Sequence, residues 1–291
     1  MRSPLLPALL PVVAVVAPVL VTVSVTSGEG NPRNSHSSGR GVYKSIDGGA
    51  TWSFMGLKET HNVHRILIHP RDPNVVFVAA TGSAWGDSPQ RGVFKSQDGG
   101  TTWEHVLSIG ERTGCAELVM DPSNPDKLFA AMWSFRRQPW TFKSGGEGSG
   151  LYVTHDGGNT WEERTSEDGL PEGELGRMGL AISPANPDVV YALVESSDYA
   201  LYRSDAGGLS FPRRSTDNEI GNRPFYYAEI HADPSAILAA RMAFDPGRPT
   251  LTELSKPRWW MRRPCRTPSL PSRASIPNMV NWSLLEASQR V

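Results

Sequence analysis

The sequence predicts an all-β fold built from repeated four-stranded antiparallel units, and three observations carry that expectation. A dozen-residue phrase, GVYKSIDGGATW, returns as GVFKSQDGGTTW, GLYVTHDGGNTW and the frayed ALYRSDAGGLSF, with its aspartate position at 47, 98, 156 and, as alanine, 206. A second phrase keeps the same beat: HPRDPN at 69–74, DPSNPD at 121–126, SPANPD at 183–188 and a remnant ADPSA at 232–236. Between these markers lie short apolar or alternating runs such as HRILIHP, VVFVAAT and TWEHVL, with no helical period. Self-similarity at about fifty residues means stacked supersecondary units.

Each unit reads as four strands, A to D. The Pro/Asn/Asp phrase turns A into B, a longer connection joins B to C, and the Asp-Gly-Gly phrase turns C into D. Four-stranded sheets repeated radially are the blades of a β-propeller. Residues from about 64 to 215 supply three whole blades. Strands B, C and D of an earlier blade precede them, and strand A of a later one (FYYAEIHADP) follows. The expectation is therefore an arc of a larger ring, spanning 19–235.

The flanks read differently. Residues 1–18 belong to an apolar run from Leu5 to Val25, which fits either a signal peptide, implying export, or a remnant of the first repeat in a cytoplasmic protein. Pro7, Pro11 and Pro18 argue against a membrane span. Residues 236–291 carry nine Lys/Arg against three acids and neither strand alternation nor a box, so they read as an irregular, proline-rich tail or a non-native reading frame. A net charge of −1 gives no footprint for nucleic acid, and the expected membrane association is none that is firm. The two cysteines, Cys115 and Cys265, cannot frame a disulfide scaffold.

The repeated box has a mechanical reading. Its glycines permit positive φ in a tight turn, and its Asp and Ser or Thr hydrogen-bond the amides that the turn leaves open. The Trp then buries a large ring against its own or a neighbouring blade. Ser45, Asp47, Trp52, Ser96, Asp98, Trp103, Asp156 and Trp161 are thus scaffold. One Asp per turn is too few for a calcium loop, and no Cys/His spacing fits zinc, so no metal or cofactor is expected.

These residues resemble the Asp-box, or bacterial neuraminidase repeat. That repeat occurs in sialidases, xyloglucanase-type glycoside hydrolases, sortilin-type receptors and a photosystem assembly factor. The copies at 45–52, 96–103 and 154–161 match closely, while the fourth has Ala206 and Phe211 at the Asp and Trp places. The phrases TGCAELVMDPSNPD, RRQPWTFKSGGEGSGLY and GRMGLAISPANPDVVYALVE look like bacterial sortilin-like proteins often labelled glycosyl hydrolases. The resemblance implies a propeller and leaves the activity open, because this architecture hosts unrelated functions.

Strand parity places the A–B turns and the boxes on one face and the longer, individual B–C and D–A loops on the other. Function in repeat proteins concentrates on varied loops, so the loop face is the expected site. Trp85, Arg136, Arg137 and Trp140 stand on its loops, with WSFRRQPWTFKSGGEGSG as the longest. Arg65, Glu117, Gly179 and Glu229 share one register on the inner strand, and Arg177 lies two places before Gly179. Inter-blade ion pairing is the plain reading of that group; ligand binding by Arg65 and Arg177 and weak catalytic candidacy for Glu117 and Glu229 are the functional ones. His61, His64 and His69 read as ordinary histidines, since alternation parts the last two.

Three functions compete on this reading: a module binding a glycan or a peptide, a glycoside hydrolase, and an assembly factor holding a protein partner. A hydrolase needs two carboxylates about 5–9.5 Å apart. Glu117 and Glu229 are two blades apart, and neither an arginine triad nor a Tyr/Glu nucleophile of sialidase type is found. Binding is the expectation.

Overall fold

The computed structural model describes residues 22–31, 37–197, 199–215, 228–233 and 240–242. The segment 1–18 and all of 236–291 except 240–242 lie outside the described residues, as do Trp259 and Trp260.

Alternating and apolar runs become short antiparallel strands in the expected order. Blade 1 holds β1 (Val23–Thr26), β2 (Val42–Ser45) and β3 (Ser53–Phe54). Blade 2 is β4 (Val63–Ile68), β5 (Val76–Ala80), β6 (Gly92–Ser96) and β7 (Glu104–Leu107), paired in sequence order. Blade 3 is β8 (Thr113–Met120), β9 (Leu128–Gln138), β10 (Thr141–Ser144), β11 (Gly150–Thr154) and β12 (Glu162–Arg164). Blade 4 is β13 (Met178–Ile182), β14 (Val190–Val194), β15 (Ala200–Ser204) and β16 (Arg213–Ser215); β17 (Ile230–Ala232) and β18 (Ala240–Met242) begin blade 5. The described residues hold no α-helix, only two 3-10 turns, and no helix among them is long and apolar enough to cross a membrane.

The strand pattern runs past Ala236, because β18 pairs with β17 inside a segment whose sequence shows no alternation. A larger departure concerns the supposed long loop of blade 3. β9 continues for eleven residues, and β10 folds back on it with Thr141 opposite Gln138 and Ser144 opposite Phe135. The loop is a β-hairpin with Pro139 and Trp140 at its tip. Trp133, Phe135 and Phe142 cluster together, with ring centroids 4.2 Å apart for the first two. Burial of those rings holds the segment extended, and aromatic pairs add about 0.5–1.5 kcal/mol to their area burial.

The cores lie between blades. Phe77 of β5 packs with Leu118 of the next blade's β8 and with Trp161 of its box, and Phe129 of β9 packs likewise with Leu180 and Phe211. The Trp103 indole donates to Met55 O of blade 1 at 2.6 Å. Each box ring thus covers the preceding blade, Trp103 and Trp161 partly buried and Phe211 fully so, and full burial of a side chain such as Phe is worth about 1.5–3 kcal/mol. Trp52 has no described blade before it and remains 43 % exposed.

Three boxes share one hydrogen-bond pattern. The Asp47 carboxylate accepts from the Thr51 amide at 2.8 Å and the Thr51 hydroxyl at 2.6 Å, and the Ser45 hydroxyl accepts from the Gly49 amide at 2.8 Å. The same bonds recur at Asp98 with Thr102 and at Asp156 with Thr160. They hold the Asp47 and Asp98 carboxyls down to about 2 and that of Asp156 still lower, the threonine hydroxyl bond being the largest cause. In the fourth copy Ser204 keeps its bond from the Gly208 amide, while Asp205, one place early, pairs with Arg203 and Arg214.

Box glycines also fix the polarity of the arc. Gly99, Gly157 and Gly207 donate to the A–B turns of their own blades, at Asn74 O (2.9 Å), Asp126 O (2.8 Å) and Asp188 O (2.8 Å). Boxes and A–B turns therefore share one face. The longer loops project from the other.

Candidate functional site

Two groups of side chains stand on the loop side. The first lies on the inner strands, where register shifts in β4 between Val63 and Arg65, and in β8 between Cys115 and Glu117, interrupt the alternation at matching places. Such bulges re-aim the side chains that follow them. Here they bring Arg65 of blade 2 and Glu117 of blade 3 together: Arg65 Nε and Nη2 donate to the two Glu117 oxygens at 2.6 and 3.0 Å. Glu117 is 3 % exposed. His64 sits 3.8 Å from the same carboxylate, and burial, reinforced by Arg65 and Arg177, pushes its imidazole well below the ordinary value, so it is neutral at neutral pH.

Arg177 is buried under this group. Its Nη2 donates to Asn31 Oδ1 at 2.6 Å, its amide donates to Glu195 at 2.7 Å, and its guanidinium lies 5.5 Å from the Trp133 ring centre. Burial lowers the Arg177 pKa, while Glu117 and Glu229 nearby favour its charge. Asn31 also donates to Glu229 at 3.3 Å, so a loop of blade 1 ties blades 4 and 5. Gly179 completes the register for a steric reason: a Cβ there would collide with the Ala228 carbonyl at the start of blade 5. Arg65 and Glu117 join blades 2 and 3, while the Arg177 guanidinium reaches Asn31 of blade 1.

The second group is the rim built by the hairpin and the B–C loop of blade 2. Arg91, which sequence reasoning did not single out, orders that loop. Its buried guanidinium donates to the carbonyls of Thr81 (3.0 Å), Arg112 (3.1 Å), Gly86 (3.0 Å) and Ser83, and lies over Phe135 at 4.9 Å. Burial alone brings it down to about 10, which leaves it charged at neutral pH. The ordered loop docks on the hairpin through Arg137 N to Ala84 O at 2.8 Å and through the ion pair of Asp87 with Arg136. Arg112 joins Asp87 at 3.3 Å.

Trp85, Arg136 and Arg137 are thereby brought together, and Trp140 stands at the hairpin tip, 80 % exposed. Ser144 anchors the base of the hairpin: it accepts from the Trp133 indole at 3.0 Å and donates to Glu195 of blade 4 at 2.6 Å. Burial raises the Glu195 pKa, opposed by the bonds from Ser144 and the Arg177 amide. Among the described residues no group of three metal-ligating side chains is found, and His69 instead accepts from the amides of Arg71 and Asp72 in its A–B turn.

Fold and boxes define the class: the chain is an Asp-box β-propeller arc. A family model described as sortilin, neurotensin receptor 3 (Sortilin-Vps10) matches residues 40–167. No curated protein matches the chain. Among solved structures, a GH74 enzyme of Niastella koreensis aligns at 18 % identity with a TM-score of 0.52, over 75 % of this chain and 33 % of that one. The GH74 xyloglucanase of Xanthomonas campestris aligns at 16 % identity and TM-score 0.52, over 70 % and 32 %. YCF48 of Cyanidioschyzon merolae aligns at 18 % identity and TM-score 0.38, over 68 % and 58 %. This chain spans about a third of the length of the two GH74 structures.

Proposed function

We propose that the chain is a non-catalytic recognition module that binds a carbohydrate chain on the loop-face rim around Trp85, Arg136, Arg137 and Trp140. The observation that carries this reading is the contrast in availability between carboxylates and aromatics. Glu117, the better-placed catalytic candidate, is buried in a bidentate pair with Arg65, whereas Trp140 is 80 % exposed on an anchored hairpin. An exposed indole offers a sugar ring a flat apolar surface at little cost in conformational entropy. One structural neighbour is a xyloglucanase, which makes xyloglucan the first ligand to try.

The test is a glycan array and an acidic-peptide array probed with wild type, Trp140→Ala and Arg137→Ala. The reading expects glycan spots that fade in the Trp140→Ala protein. Binding that survives both changes but fails when the A–B turns around Asn124 or Asn186 are altered would place the site on the wrong face. Glycan turnover abolished by Glu117→Gln, with binding kept, would make the chain a hydrolase instead, and a partner captured only from the peptide array would make it a protein-binding module.

A further inference from the structure

We infer that the open sheet face of blade 1 is a docking surface for a second copy of this chain, the two copies meeting through the same face about a two-fold axis. In each later blade a row across strands B and C, together with the box ring, packs on the blade before it. Blade 2 uses Val78, its cross-strand partner Phe94, and Trp103, which pack with Val42 and Met55 of blade 1. Ala130, Tyr152 and Trp161 take these places in blade 3, and Ala192, Tyr202 and Phe211 in blade 4. The matching residues of blade 1 are Val25, its partner Tyr43, and Trp52. This face is therefore built as an interface, and no described blade lies against it.

Two substitutions within the repeat indicate what covers it. The strand D place next along the row stays exposed in blades 2 to 4 and holds His105, Glu163 and Arg213. In blade 1 it holds Phe54, 51 % exposed, with its ring 5.4 Å from that of Tyr43. The residue between the box serine or threonine and the aspartate place is Gln97, His155 and Asp205 in the later copies but Ile46 in the first, 60 % exposed. A neighbouring blade leaves these places in water, so their apolar character in blade 1 calls for a partner that covers more of the outer face than a blade does. Contiguous exposed apolar side chains of this kind mark interaction surfaces. Among the described residues a second copy has no other free sheet face to offer, because Tyr191, Leu193 and Leu201 on the far side of blade 4 are already buried with Ile230. Head-to-tail stacking is thereby closed, and the same-face contact remains. Val25, Tyr43, Trp52 and Phe54 carry no charge to oppose its own copy across the axis, and such a contact closes at two chains.

The experiment measures the mass of the purified full chain by light scattering along a dilution series, for wild type, Phe54→Glu and Leu209→Glu. Phe54→Glu installs the residue that blade 3 carries at the same place, and Leu209 is an exposed apolar residue of the fourth box, away from this face. Expected are a wild-type dimer that dissociates on dilution, association at least about tenfold weaker in Phe54→Glu because a charge would be buried in the contact, and no change in Leu209→Glu. Melting temperatures are compared at a dilution where every protein is monomeric, since association itself raises the melting point. Equal melting there shows that Phe54→Glu folds and has lost the contact alone. A chain still monomeric at about 0.1 mM would overturn the proposal and leave the face to a blade of another polypeptide. Oligomers that grow without limit would overturn the two-fold contact, and a dimer indifferent to Phe54→Glu but lost in Leu209→Glu would put the contact on blade 4.

Discussion

On the box face, Asp47, Asp98 and Asp156 each accept from the threonine four places on, at 2.6–2.7 Å from its hydroxyl and 2.8–2.9 Å from its amide. On the loop face no two blades do the same thing: blade 2 is organised by a buried arginine, blade 3 by an aromatic hairpin, and blade 1 by Asn31 reaching to Arg177 and Glu229. A turn needed in every blade has one cheap solution, which the chain writes repeatedly. A surface used once carries no such constraint and holds the individual side chains.

The largest expected effect comes from the pair that links blades below the loop face. Arg65→Ala strands the Glu117 carboxylate in a buried setting and is expected to cost about 3 kcal/mol or more, read by urea denaturation. The double change Arg65→Met with Glu117→Leu should recover most of it, because breaking a buried pair is worse than replacing it. If Arg65→Ala were silent, the pair would not be what joins blades 2 and 3.

Next comes Arg91→Ala, which deprives the Thr81, Ser83, Gly86 and Arg112 carbonyls of their shared donor. A loss of about 2–3 kcal/mol is expected, together with early proteolytic cutting between residues 82 and 90. Protection of that loop equal to wild type would show that other contacts order it.

Box substitutions should be milder and pH-dependent. Asp98→Ala is expected to lower the melting temperature by a few degrees at pH 7. The folded Asp98 carboxyl is held below its unfolded value of about 4, so its contribution is full above that pH and fades as pH falls towards about 2. The gap between wild type and mutant should therefore be constant from pH 8 to 5 and close on acidification. A gap that widened in acid would contradict the hydrogen-bonding account. Smallest is Ala206→Asp, which restores the missing carboxylate of the fourth box opposite Ser210 and should raise the melting point by about a degree, within the range usual for surface changes. A fall would mean that the Asp205 clamp with Arg203 and Arg214 already fills that role.

The same contrast explains what the sequence discloses. Boxes, A–B turns, strand order and face polarity are legible because they repeat, and repetition separates constraint from accident. The pairing of Arg65 with Glu117 is legible as a shared register. The hairpin at 128–144 is not, since Pro139 within it and the four glycines of GGEGSG just beyond it read as loop, while the aromatic stack that keeps the strands extended acts across the turn. Arg91 escapes notice because its partners are backbone carbonyls, which have no residue signature. Lys44, whose Nζ donates to Gly99 O of the next box at 3.0 Å, could have been found. The lysine before the box serine recurs as Lys95, which reaches Asn159 of the following box at 3.5 Å.

The central claim is that the boxes hold the arc and the loop face does the binding. The most direct measurement compares the affinity of one glycan, chosen from the array, for Asp98→Ala and Trp140→Ala by titration calorimetry, at a temperature where both are fully folded. The account predicts wild-type affinity with a lowered melting temperature for Asp98→Ala, and at least tenfold weaker binding with an unchanged melting temperature for Trp140→Ala. The reverse pattern, binding lost with the box and kept without the exposed indole, would contradict it.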